Sequence, residues 1–168
     1  MTLKNNQRGF VTLMAEVVAL ALILIIAAMS VPNILAYKRG VDRTNVAETL
    51  KRIQRAELYH SQMFSDGWRS PGALAYSPRT FPATCEGSGL LMGSDALSAQ
   101  GSYTLTWTGG GGQIAPAVGC ALGGFNSFAL SATSSDPGQK RSYYLDQTLV
   151  LRYSDGAAAN ASSSPYIW

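Results

Sequence analysis

The chain has 168 residues, 46% of them hydrophobic and 14% charged, with a formal net charge of +3. A soluble globular chain carries about 25% charged residues, so part of this one is not built for water, and a charge-rich disordered chain is excluded. One histidine and two cysteines exclude His-rich and four-cysteine metal sites and a disulfide-dense miniprotein, and the mild basic excess excludes a densely basic nucleic-acid reader.

Residues 1–9 carry Lys4 and Arg8 and no acid. Residues 10–31 follow, with Glu16 as their single charge. As a helix rising about 1.5 Å per residue, that run is about 33 Å long, enough for a ~30 Å hydrocarbon core. It is too long for the apolar run of a secretory signal, and Ala27-Ala28-Met29-Ser30 is a poor cleavage site for one. A plain membrane anchor fits the length but gives no reason for Glu16. A carboxylate inside a bilayer costs about 2.5–3.5 kcal/mol and is by default a functional candidate. The bland alternative places Glu16 among lipid headgroups.

Pro32 either ends this helix or kinks one long helix, because proline removes a backbone hydrogen bond. Residues 33–36 can resume the helix, which favours the kink. Gly40 is a second weak point. Over 41–64 the apolar spacing is helical, with Val46, Leu50, Ile53, Glu57, His60 and Phe64 on one face. Arg39, Arg43, Lys51, Arg52 and Arg55 mostly lie off that stripe and read as a solvated face, with a lipid or DNA patch as the alternative. His60 reads as a packed core histidine, with Glu57 one turn away as a possible partner.

From 65 to 101 helical periodicity stops. Glycines and prolines punctuate an irregular connection whose aromatics, Trp68, Tyr76 and Phe81, are expected to pack onto a neighbouring surface. Strand signals follow. In 102–108 Tyr103, Leu105 and Trp107 alternate with threonines, 109–112 is four glycines that read as a turn or a flexible tip, and 125–133 alternates weakly. Residues 142–145 and 149–153 read as a hairpin around Asp146-Gln147-Thr148. Together these predict a meander of about four antiparallel strands, one face covering the helix stripe. The Ala/Ser-rich tail from 156 to 164 reads as loose, with Tyr166-Ile167-Trp168 able to dock.

The opening resembles the type IV pilin and type II secretion pseudopilin family. The residues that carry the likeness are Arg8-Gly9-Phe10-Val11-Thr12-Leu13-Met14-Ala15-Glu16, then the apolar run to Val31-Pro32-Asn33. The family start is a basic leader ending in Gly, then Phe, a Thr-Leu-Ile/Met-Glu-like segment, an apolar helix and Pro-Asn. The likeness is close over about the first 60 residues and looser over 142–153, which resembles the closing strands of pilin-like domains. Glu16 stands seventh after Gly9, two positions later than is usual.

The resemblance implies an α+β pilin fold, a long N-terminal helix with a transmembrane half and an amphipathic half packed on a small antiparallel sheet. Its segments are a leader (1–9), a transmembrane and assembly half-helix (10–35), an amphipathic half-helix (36–64), a variable connection (65–101), and the sheet region with its tail (102–168). It implies cleavage by a prepilin peptidase after Gly9 and N-methylation of Phe10. It implies an inner-membrane precursor, then a homo-oligomeric filament at the cell surface or a periplasmic pseudopilus raised by pilus or type II secretion machinery. Glu16 would pair with the terminal amine of a neighbouring copy and set assembly register, and Pro32 would act as a flexible point. A bitopic anchor displaying a periplasmic binding domain is the rival from another class.

A domain carried into an oxidising space favours a Cys85–Cys120 disulfide, whose closure stabilises by roughly 3–4 kcal/mol on the chain-entropy model; two separate buried thiols are the alternative. The sequence offers no catalytic constellation. The glycines at 109–112 lack the Gly-Lys-Ser/Thr ending of a phosphate loop, and there is no His-Glu-x-x-His or Gly-x-Ser-x-Gly. Asp155, Gly156 and Asn160 are too few ligands for a calcium loop. The expectation is therefore a filament subunit with no enzymatic activity, no cofactor, no metal and no specific nucleic-acid partner.

Overall fold

A computed structural model describes residues 4–75, 88–95, 99–118, 120 and 123–167, with side chains from residue 13 onward. The chain divides into two compact units, Met1–Gly40 and Val41–Trp168. One helix, α1 (Lys4–Phe64), enters both. In the first unit residues 13–38 are exposed throughout. The polar side chains there turn back on the helix itself. Ser30 Oγ donates to the Ile26 carbonyl at 2.8 Å, and Asn33 Nδ2 reaches the Met29 carbonyl at 3.5 Å. α1 runs on through Pro32, so the proline does not terminate it and residues 33–36 resume the helix as expected.

In the second unit the expected stripe is the buried face of the helix. Val46, Leu50, Ile53, Glu57 and His60 are all 0% exposed, and Phe64 is half-buried. Ala47, Thr49 and Ala56 widen the buried face, while Arg52 and Arg55 stay outside. The helix stops at Phe64 because Ser65 turns left-handed, at φ 53°, the usual terminator position for glycine.

A six-stranded antiparallel sheet covers that face. Its strands are β1 (Ala99–Gln100), β2 (Tyr103–Gln113), β3 (Phe125–Ser134), β4 (Arg141–Asp146), β5 (Arg152–Asp155) and β6 (Ser164–Pro165), paired in chain order. Tyr103 and Leu105 point into the core and the intervening threonines point out, as the alternation predicts. Phe128, Leu130, Ala132, Tyr143 and Leu145 complete the core against the helix. Helix and sheet are also tied by polar contacts. Asp42 Oδ2 accepts the Ser102 N–H at 3.3 Å, and Gln54 Nε2 donates to the Leu149 carbonyl at 2.6 Å.

The core strands lie where the sequence places them, but three local expectations are corrected. The four glycines are not a turn: β2 continues through them, with Gly109 opposite Phe128 and Gly110 opposite Ser127, and a bulge before Gln113 pairs with Phe125. The bulge uses positive φ at Gly111 and Gly112 (72° and 79°). The last hairpin is wider than expected. Tyr144 pairs with Arg152, because Leu149 sits at φ 57° and Leu151 is buried in the core, which delays β5 to Arg152. The tail is tied down: Ser142 Oγ donates to the Ala157 carbonyl at 2.6 Å and accepts the Ala159 N–H at 2.8 Å. Tyr166 packs edge-on against Tyr143 and Tyr153, while Ile167 is 84% exposed and Trp168 lies outside the described residues.

The connection after the helix has local structure. Trp68 forms a reciprocal backbone bridge with Phe125 and packs its indole on Phe128 at 5.0 Å between ring centroids. A single turn, α2 (Pro71–Leu74), buries Leu74, and Leu91 returns beside it, its N–H on the Leu74 carbonyl at 2.9 Å. Asp95 closes onto the helix through Arg52 at 3.5 Å. Tyr76 and Phe81 lie outside the described residues.

Candidate functional site

Two features carry possible function, one in each unit. The first is the apolar surface of α1. From Leu13 to Leu35 its large side chains stand in the open, among them Leu13 (59% exposed), Ile26 (65%) and Met29 (68%). By length and composition this helix is able to cross a membrane. Glu16 is exposed on the same surface, as is Pro32. Between Leu13 and Leu35 Glu16 is the only ionisable side chain. Gly9 and Phe10 lie on the helical backbone, and the Phe10 side chain lies outside the described residues.

The second feature is a buried polar cluster where the helix end, the connection and β2 meet. Helical spacing puts Glu57 and His60 one turn apart on the inward face, and both are fully buried. The left-handed residues Ser65 (φ 53°) and Gly67 (φ 89°) redirect the chain at the helix end, and Asp66, between them, and Arg69, just after, face Glu57 and His60. Asp66 is 0% exposed and Arg69 6%. Arg69 places Nη2 at 2.6 Å and Nε at 3.1 Å from Asp66 Oδ2, while His60 Nδ1 lies 3.4 Å from Asp66 Oδ1. The Arg69 backbone N–H donates to Glu57 Oε2 at 3.2 Å. The Trp107 indole N–H faces the Glu57 carboxyl without reaching good hydrogen-bond geometry, leaving Glu57 Oε1 unsatisfied among the described residues. Burial, and secondarily the Asp66 carboxylate, raise the Glu57 acid to about 8, against the Arg69 N–H and Trp107 contacts that favour its anion.

The sequence brings Glu57 and His60 into view but not Asp66, Arg69 or Trp107. Those three arrive through the left-handed residues Ser65 and Gly67 and the register of β2, which no local spacing encodes. Among the described residues the cluster has no nucleophile beside a base. Among the described residues no group of three His, Cys, Asp or Glu side chains is placed to hold a metal. Asp155 gives both carboxylate oxygens to Arg141, at 2.8 Å each, and Asn160 caps a turn by accepting the Ser162 N–H. Cys120 is disulfide-bonded. The chain's other cysteine, Cys85, lies outside the described residues.

A long apolar N-terminal helix and an antiparallel sheet packed on its distal part make an α+β protein compatible with a pilin-like fold. Compared with known protein families, curated proteins and solved structures, the chain matches none.

Proposed function

We propose that this chain is the structural subunit of a type IV pilus-like filament, held in the inner membrane by α1 and assembled by helix packing after cleavage between Gly9 and Phe10. The observation that carries the reading is the exposed apolar length of α1 with Glu16 as its lone charge. Such a surface needs lipid or other helices around it. In a bundle of copies Glu16 needs a partner, because an unpaired carboxylate is costly in an apolar surrounding and a paired one is tolerable. The amine freed at Phe10 of a neighbouring copy is that partner. The folded sheet domain then forms the outside of the filament, with the Cys85–Cys120 disulfide suited to that space. A pseudopilin of type II secretion uses the same parts in a shorter, periplasmic assembly.

Intact mass and fibre assays test the reading together. The product should lack residues 1–9 and carry one added methyl group. Sheared surface material should contain the chain in fibres. Glu16→Ala should be processed normally and polymerise at least tenfold less. A lipid-bound monomer that retains Met1 supports the bitopic anchor instead, and normal fibres from Glu16→Ala would remove the role given to Glu16.

A further inference from the structure

We propose that the folded domains of successive copies interlock, the apolar loop tip at 115–118 of one copy seating in a groove on the α1 flank of the next. The contact rests on the filament reading and gives both surfaces one partner, a second copy of this chain. The tip lies between β2 and β3. Ala115, Pro116 and Val118 are exposed, Val118 fully, and none of them carries a charge. The base of the tip is fixed. The Ile114 N–H donates to the Gly124 carbonyl at 2.8 Å, the Gly124 N–H to the Asp66 carbonyl at 2.7 Å, and the Cys120 N–H to the Ala117 carbonyl at 2.9 Å. The Cys120 disulfide and the close approach of Ile114 to Gly67 hold it further. A projection held in this way loses little freedom on docking.

The groove, of about 330 Å³, lies between α1 and residues 90–95. Buried Ala56 and Leu91 line it together with Tyr59 and Met92, which are 57% and 71% exposed, and Arg52 and Arg55 border it. The tip is not among the described residues that line the groove of its own copy. A projection that fits a groove elsewhere on the same molecule makes a heterologous contact, and such a contact repeated without closure builds an open helical filament.

An axial match selects this pairing. A helical filament gives every part of the chain the same axial step, so the step is gauged in each unit by itself. In the apolar unit, Glu16 bound to the Phe10 amine of a neighbour shifts that neighbour six residues, about 9 Å, toward the C-terminal end of the helix. In the folded domain the tip is rooted at Asp66 and Gly67, just past the helix end at Phe64. The groove is centred near Ala56, eight residues and about 12 Å before that end. For helices running along the fibre, a neighbour raised by one step carries its groove to within about one helical turn of the tip's level, and in the direction the contact requires. The contact is small, but helices already packed in a bundle supply the effective concentration at which a small contact suffices.

The test uses the full chain in fibres. A photoreactive diazirine side chain in place of Val118 should, on irradiation, join residue 118 to the tryptic peptide 56–69 of a second copy, in a product of twice the subunit mass. Crosslinks from residue 118 to lipid, to another protein or to other parts of the chain overturn the contact. In parallel, Val118→Lys puts a cation beside Arg52 and Arg55 in an apolar groove and should cut fibre yield about tenfold. Because Val118 is exposed, the urea midpoint of the variant should equal that of the native chain. Native fibre yield from Val118→Lys overturns the contact and leaves the filament reading standing. A native chain that forms no fibres overturns both.

Discussion

The passage of β2 through four glycines rests on a contact that can be weighed. A Cβ built on Gly109 would lie 2.5–2.7 Å from the Cγ, Cδ1 and Cδ2 atoms of Phe125. Carbon atoms at optimal separation stand about 3.5–4.0 Å apart, so the shortfall is about 1 Å. These are the root atoms of the ring, close to the main chain, and the ring is also set edgewise on Trp107 at 5.3 Å. It cannot give way without rotating off that neighbour. Overpacking of this kind costs about 1–3 kcal/mol, while replacing a strand glycine by alanine recovers about 0.5–1 kcal/mol of chain entropy. Gly109→Ala should therefore destabilise the domain by up to about 2.5 kcal/mol. Once Phe125→Ala has removed the obstacle, the same substitution should be neutral or stabilising by about 0.5–1 kcal/mol. Urea unfolding of the full chain in detergent, followed by near-ultraviolet circular dichroism, gives the double-mutant cycle. Equal effects of Gly109→Ala in both backgrounds would mean that the glycines form a free tip and that the observed register is wrong.

Two further outcomes follow from individual contacts. The Arg141–Asp155 pair is bidentate but open to solvent, with side chains 28% and 54% exposed, so Asp155→Asn should cost about 0.2–1 kcal/mol at neutral pH. The hydrogen bonds from Arg141 hold the Asp155 carboxyl below its ordinary 3.8. Its contribution is present above that value and lost as pH falls through the lowered one, so native and Asp155→Asn should converge in acid unfolding; a constant gap down to pH 2 would refute the pairing. Cys120→Ser opens the disulfide. If Cys85 is the partner, the loop encloses 34 residues and the loss should be about 3–4 kcal/mol. Identical urea midpoints for the native chain with and without reductant would refute that structural role.

The parts of this fold that were legible in the sequence are those governed by period. The helix stripe from Val46 to His60 and the Tyr103, Leu105, Trp107 alternation each repeat a spacing dictated by backbone geometry, and the helix stripe, Tyr103 and Leu105 are buried as expected, with Trp107 partly buried beside them. What was misread depended on distant residues. Four consecutive glycines look like a turn until Phe125 is seen lying over Gly109. Leu149 looks like the start of a strand until its left-handed φ and the grip of Gln54 on its carbonyl are seen. An Ala/Ser-rich tail looks loose until Ser142 is found taking both Ala157 and Ala159. The polar cluster was half legible. Glu57 and His60 share a helix face, but Asp66 and Arg69 reach them through the left-handed residues Ser65 and Gly67 that follow the helix.

Magnitudes separate what the two parts of α1 chemistry decide. More than a dozen large apolar side chains stand open between Leu13 and Leu35. At about 1.5–3 kcal/mol for each one fully buried, they favour leaving water by on the order of 20 kcal/mol even after discounting for their partial exposure. Glu16 opposes burial by only about 2.5–3.5 kcal/mol, so it does not determine whether this helix leaves water. Between a bilayer and a bundle of helices, however, the apolar contribution nearly cancels, because lipid tails are as apolar as leucine. A few kcal/mol then suffice to select one surrounding over the other. Glu16 is the only ionisable group on that length. Whether its carboxylate finds a cation is therefore the largest difference between the two states, and under the filament reading it governs the choice between membrane and fibre.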